Sequence, residues 1–275
     1  MTWLILFLGF ADPLRRNLDP SVINTSRPPR AESTGMFSTV FTDLWLSPFA
    51  HGEALHHDDA FVVTVNPDLS ENSRLMVLET PDGKVSVALT PAMATAGGLK
   101  PTENLSETMF RRKLAQAGIT LHGADYLFAY LDKDKSELLR EATGNGIRQL
   151  AAQDEEAFAA FRASSSEQDM DDAYVELDHW AVFGAFVDGR LVCAASMYPW
   201  NDSTVADLGV LTLPSHRGQG HARRVVRAIC RHAAGLGYEP QYRCQLDNAA
   251  SSVLAKSAGL TLFGKWDVVS LDSAA

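Results

Sequence analysis

Between residues 207 and 235 the spacing of apolar positions changes its period once. Residues 207–213, Asp-Leu-Gly-Val-Leu-Thr-Leu, are extended and mostly apolar. From Ala222 onward Val225, Val226, Ile229 and Ala233 recur at helical spacing, and Arg223, Arg224, Arg227 and Arg231 fall off that stripe. The pattern predicts a strand followed by a helix, with Pro214 ending the strand because it has no N–H to give to a ladder. The joint is Arg217-Gly218-Gln219-Gly220, whose glycines permit backbone conformations closed to other residues.

The same periodicity orders the rest of the chain. Phe37–Leu55 carries a helical stripe that Pro48 is expected to break, and His51–Asp59 reads as a solvated loop. Ala60–Val65 is a predicted strand. Leu75–Glu79 and Lys84–Thr90 flank a hairpin turn at Thr80-Pro-Asp-Gly83, and Thr90-Pro91 opens a short helix. Ser106–Gly118 is an amphipathic helix, Ala124–Leu131 a strand, Asp132–Ser136 a charged connector and Ser136–Ala142 a short helix. Gly144-Asn-Gly146 marks the expected domain boundary. Beyond it come a strand at Ile147–Leu150, helices at Asp154–Arg162 and Glu167–Ala173, and strands at 181–187 and 191–198 joined at Asp188-Gly189. Thr204–Leu213, Gln241–Leu246 and Leu260–Leu271 are strands, and Gly220–Leu236 and Asn248–Ala258 helices. The domains expected are thus an N-terminal α/β unit over 36–143 and a second unit over 144–275. Residues 1–35 pair an apolar run, Trp3–Phe10, with a polar, proline-bearing stretch. A cleaved signal, an anchor strand and a tail upstream of a natural start at Met36 compete there, and a disordered or artefactual tail is favoured.

The turn at 217–220 carries the first chemical signal. A helix start leaves several N–H groups without internal partners, and its dipole adds about half a positive charge there. Gly218 and Gly220 let an anion approach, so the corner is a candidate phosphate or pyrophosphate site. Neither GxxxxGK[ST] nor GxGxxG is present.

The order Arg217-x-x-Gly220-x-Ala222, after a strand ending in Thr212-Leu-Pro214, resembles the acyl-CoA motif of the GNAT acyltransferase superfamily. A second match, Asn248-Ala-Ala-Ser251 through Gly259-Leu260, resembles the segment after that family's fifth strand. The resemblance covers about Gly146–Leu271. It implies an α+β fold, a mixed and mostly antiparallel sheet with helices on both faces, in which two strands splay near a bulge to admit pantetheine. The first half could be a degenerate copy of that fold.

By the same resemblance, backbone groups of Leu211 and Leu213 would hold the pantetheine arm, the Leu211 N–H would polarise the thioester carbonyl, and Thr212 between them counts among the cofactor-binding residues. N–H groups of Gly218, Gly220, His221 and Ala222 would hold the pyrophosphate beside the charge of Arg217, Asn248 would meet the pantetheine amide, and Gln219 and Ser251 count among the cofactor-binding residues. Acetyl-CoA is the expected co-substrate, and no metal is expected. Asp207, on the same strand, is the candidate base for a protonated amine, with His179 and His216 behind it. The family's tyrosine acid would fall at Ala255, which has no proton to give. Trp180, Tyr198 and Trp200 are candidates to line the acceptor pocket. A His/Asp metal site at 51–59 is disfavoured, because no strong ligand spacing is present.

Composition sets limits. Apolar content of 46% and charged content of 21% are those of a globular chain, and a net charge of −10 argues against nucleic acid or an anionic membrane as partner. Cys193, Cys230 and Cys244 fall in apolar patterns and read as buried, reduced thiols of a cytoplasmic protein. The expectation is an N-acyltransferase, monomeric or homodimeric, acting on a small-molecule amine or amino-acid-like acceptor. A non-catalytic acyl-CoA-binding module and a protein N-terminal or lysine acetyltransferase are the alternatives.

Overall fold

The computed structural model describes residues 35–101, 104–142 and 144–273. Apart from Gly35, the tail expected over 1–35 lies outside them. Before residue 144 the elements are α1 (Thr39–Ala50), β1 (Glu53–His57), β2 (Phe61–Val65), β3 (Leu75–Glu79), β4 (Val85–Leu89), α2 (Pro91–Ala96), α3 (Glu107–Gln116), β5 (Asp125–Ala129) and α4 (Asp132–Leu138). After it come β6 (Ile147–Gln149), α5 (Glu155–Ala163), α6 (Glu167–Ala173), β7 (Ala181–Val187), β8 (Arg190–Pro199) and β9 (Val205–Thr212). The chain continues with α7 (His221–Gly235), β10 (Glu239–Gln245), α8 (Ala249–Ser257) and β11 (Thr261–Val268).

Helix starts follow local chemistry. Ser38, Thr90, Ser106 and Ser166 each accept a backbone N–H from the first turn of α1, α2, α3 and α6. Three expectations are corrected. Pro48 lies inside α1 in its last turn, where only one helical hydrogen bond is at stake and the helix continues to Ala50. The polar stretch His51–Asp59 is largely strand β1, a sheet edge whose exposed side chains hide the strand pattern. The charged connector Asp132–Ser136 belongs to α4, where Asp132 and Lys135 pair across one turn.

The fold is α+β. Among the described residues the strands form one eleven-stranded sheet in the order β1-β2-β4-β3-β11-β5-β10-β9-β8-β7-β6. Only β2/β4 and β9/β10 pair in parallel; the other ladders are antiparallel. The sheet crosses residue 144 unbroken. Strand β5, from the first half of the chain, lies between β10 and β11 and is hydrogen-bonded to both. The parallel pair β2/β4 is connected through β3 and not through a helix, so the strand–helix–strand order of β9–α7–β10 is not repeated there.

Side chains alternate between the sheet's two faces. On one face Phe128, Phe183, Cys193, Ala206 and Leu208 pack with Val225, Ile229 and Ala233 of α7. On the other, Val182, Ala194 and Leu211 pack with Phe158 and Phe161 of α5, and Leu127 and Trp266 pack with the core under α1 and α3. Burial pushes the Cys193 and Cys244 thiols up to about 12, so neither is a thiolate near neutral pH. Where α6 ends it presses on β9, and a Cβ at Gly209 would stand 1.8 Å from the Ala173 carbonyl oxygen.

Two outcomes follow. Gly209→Ala must push α6 away from β9 and is expected to cost about 1–3 kcal/mol in chemical denaturation, the range for overpacking. A fragment of residues 144–275 lacks β5 and leaves β10 and β11 with open edges. It is expected to give no cooperative unfolding transition by circular dichroism, where the full chain gives one; a sharp transition in the fragment would contradict this.

Candidate functional site

Strands β9 and β10 run side by side over only part of their length. Their parallel register extends from Val205/Glu239 to Leu208/Tyr242 and then stops, although β9 continues to Thr212 and β10 to Gln245. Residues 209–212 and 243–245 therefore diverge and leave a slot. On its far side β9 stays paired with β8 through Cys193/Thr212 without a register shift, so the parting needs no bulge on that side.

Backbone alternation decides which groups face the slot. The Leu213 N–H donates to the Val192 carbonyl of β8 at 2.9 Å, and Val205 accepts from the Trp200 N–H at 2.7 Å. Odd-numbered residues of this run thus spend their backbone groups on β8, and even-numbered ones turn theirs the other way. Leu211 and Leu213 do not offer backbone groups to the slot, contrary to expectation; Val210 and Thr212 do. The side chains of Leu211 and Leu213 are buried against the α5–α6 core.

The slot runs into the corner between β9 and α7. Gly218 and Gly220 have φ of +75° and +76°, and a Cβ built on either would meet nothing within 4 Å. Gly220 is the N-cap of α7 and offers no side-chain cap. Among the described residues the N–H groups of Gly218, Gln219, Gly220, His221 and Ala222 make no backbone or side-chain hydrogen bond. The corner is a concave set of bare donors at a positive helix end. Arg217 braces it: its Nε donates to the Thr212 carbonyl at 3.1 Å and its Nη2 to Asp169 Oδ2 of α6 at 3.1 Å. Its charge is thus shared with an acid. Gln219 Nε2 donates to the Ser215 carbonyl at 3.3 Å. His221 accepts from Arg224 through Nδ1, and burial, then Arg224 and His216, lower its pKa and favour the neutral ring.

Across the slot, Asn248 caps α8, its Oδ1 accepting from the Ser251 N–H at 3.0 Å. This leaves the Asn248 side-chain amino group as the donor at that end of β10. Ala255 is fully buried in the α7–α8 core and presents nothing to the slot.

On the α1/α6 face, a polar strip separates the two apolar cores at the level where β9 and β10 part. Asp207 is buried there and both its oxygens are taken. Oδ2 accepts from Arg243 Nη2 at 2.8 Å, Arg243 Nε at 3.1 Å and Tyr198 Oη at 3.3 Å; Oδ1 accepts from Gln241 Nε2 at 3.1 Å. A carboxylate so occupied is an anchor for Arg243, not a base waiting for a proton. Gln241 in turn accepts from Trp45 Nε1 of α1 at 2.8 Å. Burial opposes the Arg243 charge, but Asp207 and then Asp125 outweigh it and raise its pKa. The guanidinium lies 4.1 Å from the Trp200 ring centroid, with Trp266 at 5.9 Å. Burial, and then Asp207, keep the Tyr198 phenol protonated.

Beside this strip His179 stands between Tyr174 and Tyr198, with Nδ1 2.8 Å from Ser196 Oγ. Ser196 pairs with Gly209, the first residue of β9 beyond the parting. Burial lowers the His179 pKa, so its ring is neutral near pH 7. His216 lies on the turn before α7, near His221 and away from the strip. Of the expected pocket aromatics, Tyr198 and Trp200 belong to the strip. Trp180 packs on Tyr238 and His232 at the other face. Gln241, Arg243 and Asp125 carry no local signal that marks them as a group: the alternation of Gln241 and Arg243 gains meaning only once their strand is known to lie next to Asp207, and Asp125 comes from a strand distant in sequence.

The model of the acetyltransferase (GNAT) family matches residues 147–259. A comparison with curated proteins finds no match. Among solved structures, an acetyltransferase of the GNAT family from Novosphingobium aromaticivorans is 18% identical, with a TM-score of 0.41 over 57% of this chain and 69% of that one. One from Colwellia psychrerythraea is 20% identical, with a TM-score of 0.43 over 58% and 60%. A GCN5-related N-acetyltransferase from Kribbella flavida is 20% identical, with a TM-score of 0.41 over 58% and 62%. The strand–glycine corner–helix unit and the parted strands all lie within the matched residues, and the chain carries over 147–259 a domain of the GNAT acetyltransferase family.

Proposed function

We propose that this protein is an acyl-CoA-dependent N-acyltransferase that uses acetyl-CoA and acylates the primary amine of a small-molecule or amino-acid-like acceptor. The observation that carries the reading is the parting of β9 and β10 next to a corner of bare amide donors. The residues fit acetyl-CoA as co-substrate. Gly218 to Ala222 would take the pyrophosphate, Val210 and Thr212 the pantetheine amides as an added strand would be held, and Asn248 a further amide. Acetyl-CoA supplies an acyl group already activated as a thioester.

The chain's part is alignment, which can contribute several kcal/mol, and removal of the amine proton. His179 suits the second task better than Asp207. Its Nδ1 is tied to Ser196, the β8 partner of Gly209, which leaves Nε2 as the nitrogen to accept a proton. The groups that face it are Tyr174, Tyr198, Ser196 and the neighbouring Asp178. Ala255 favours a second reading, a non-catalytic acyl-CoA-binding module, because the position expected to protonate the departing sulfur has no proton to give. Release of free CoA from acetyl-CoA only when an amine is present would decide for the enzyme. A cytoplasmic setting is part of the proposal; the three buried free thiols support it, and among the described residues no helix is long and apolar enough to cross a membrane.

Gly220→Val puts a branched side chain at a φ of +76°, a strained conformation for it, and should weaken CoA binding at least tenfold by calorimetry while the melting temperature falls by a few degrees and unfolding stays cooperative. Equal affinity in the variant, or none in the parent protein, would remove the assignment. The rate should be constant above the lowered pKa of His179 and decline as pH falls through it, below the ordinary 6.5, because protonation takes away the base. His179→Gln should lower kcat and abolish that acid limb.

A further inference from the structure

The polar strip holds one more carboxylate than its arginine can neutralise. Arg243 gives Asp207 two contacts, at 2.8 and 3.1 Å, and Asp125 only one, at 3.4 Å from Nη1 to Oδ2. Asp125 Oδ1 has no hydrogen-bond partner among the described residues, and the side chain is 24% exposed, against 6% for Asp207. Asp125 is supplied by β5, the strand that the first half of the chain inserts between β10 and β11, where it pairs with Gln245 and Trp266. Trp266 adds an independent sign of incomplete lining. It is 9% exposed, its ring stacks near Arg243, Trp45 and Trp200, and its indole N–H has no partner among the described residues. A buried donor left unpaired costs free energy that a water oxygen held in the strip would recover, so this end of the strip has room beside the rings.

We infer that Asp125 is a specificity-determining residue that binds a second cationic centre on the amine acceptor, one that the transferred acyl group does not reach. The inference rests on the transferase reading. The reacting amine would lie at the parting of β9 and β10, and Asp125 lies on the strand beyond β10. About one and a half strand spacings separate these places, roughly 7 Å. That span suits a diamine whose ammonium groups are joined by an alkyl chain of about five carbons. Trp200 and Trp266 border the path with ring surface, which favours methylene groups and a cation together. Burial holds the Asp125 pKa above its ordinary value; Arg243 and His122 oppose the rise, while Asp207 and Asp267 add to it. A cation brought beside it would offset that rise.

The test compares 1,5-diaminopentane with 1-aminopentane in the full-length protein, in Asp125→Asn and in Asp125→Glu, the last keeping the charge. Turnover is read by free CoA release, and binding by tryptophan fluorescence, which needs no turnover because Trp45, Trp200 and Trp266 surround the strip. In the parent protein the diamine should bind and react at least tenfold better than the monoamine. Asp125→Asn should erase that preference and keep the CoA affinity. Asp125→Glu should retain most of the preference. Equal binding of the two amines by the parent protein, or an unchanged preference in Asp125→Asn, would overturn the inference. Asp125-dependent diamine binding without any CoA release would uphold it and sink the transferase reading instead.

Discussion

The ion pair of Asp207 with Arg243 is the contact on which the rest of this structure depends. It is buried at the point where two parallel strands stop pairing, so it bridges β9 and β10 just as their backbone ladder gives out. Neither charge could be left alone there: removing one member of a buried pair costs about 3–5 kcal/mol. Hydrogen bonds extend the pair to Tyr198 on β8, to Gln241 and through it to Trp45 on α1, and to Asp125 on β5. Five separate elements meet in it. The slot can remain open because side chains, rather than main-chain hydrogen bonds, hold its closed end.

The two sides of the sheet have divided the work. On one face α7 and α8 pack over an apolar core and present the glycine corner at the start of α7. On the other, α6 presses on Gly209 while α1 covers the first half's strands, and the polar strip lies between. Acyl donor and acceptor would thus reach one slot from different directions. The first half of the chain is part of this arrangement and not an appendage, since it contributes Asp125 and Trp45.

The elements legible in the sequence were those whose signal is local. The extended run at 207–213, the glycine corner and the stripe of Val225, Val226, Ile229 and Ala233 appear in the structure much as their spacing predicts. So does the cap at Asn248. What escaped depended on neighbours distant in sequence. The strand β1 exposes most of its side chains and so lacks an alternating signature. The outward turn of Val210 and Thr212, in place of Leu211 and Leu213, follows from the partner that Leu213 finds on β8. Asp207 looked like an available base because Gln241 and Arg243 could not be placed beside it until the order of strands was known. The insertion of β5 left no mark in composition at all.

That insertion has a bearing on how the chain reaches its native state. Strand β5 is synthesised well before either of its neighbours and must wait for both. The middle of the sheet therefore closes through non-local pairings, which are slow to form because a long loop has to be ordered first. Until then β5 has two unsatisfied edges, and a nascent chain paused before β10 would be the species most in need of a chaperone.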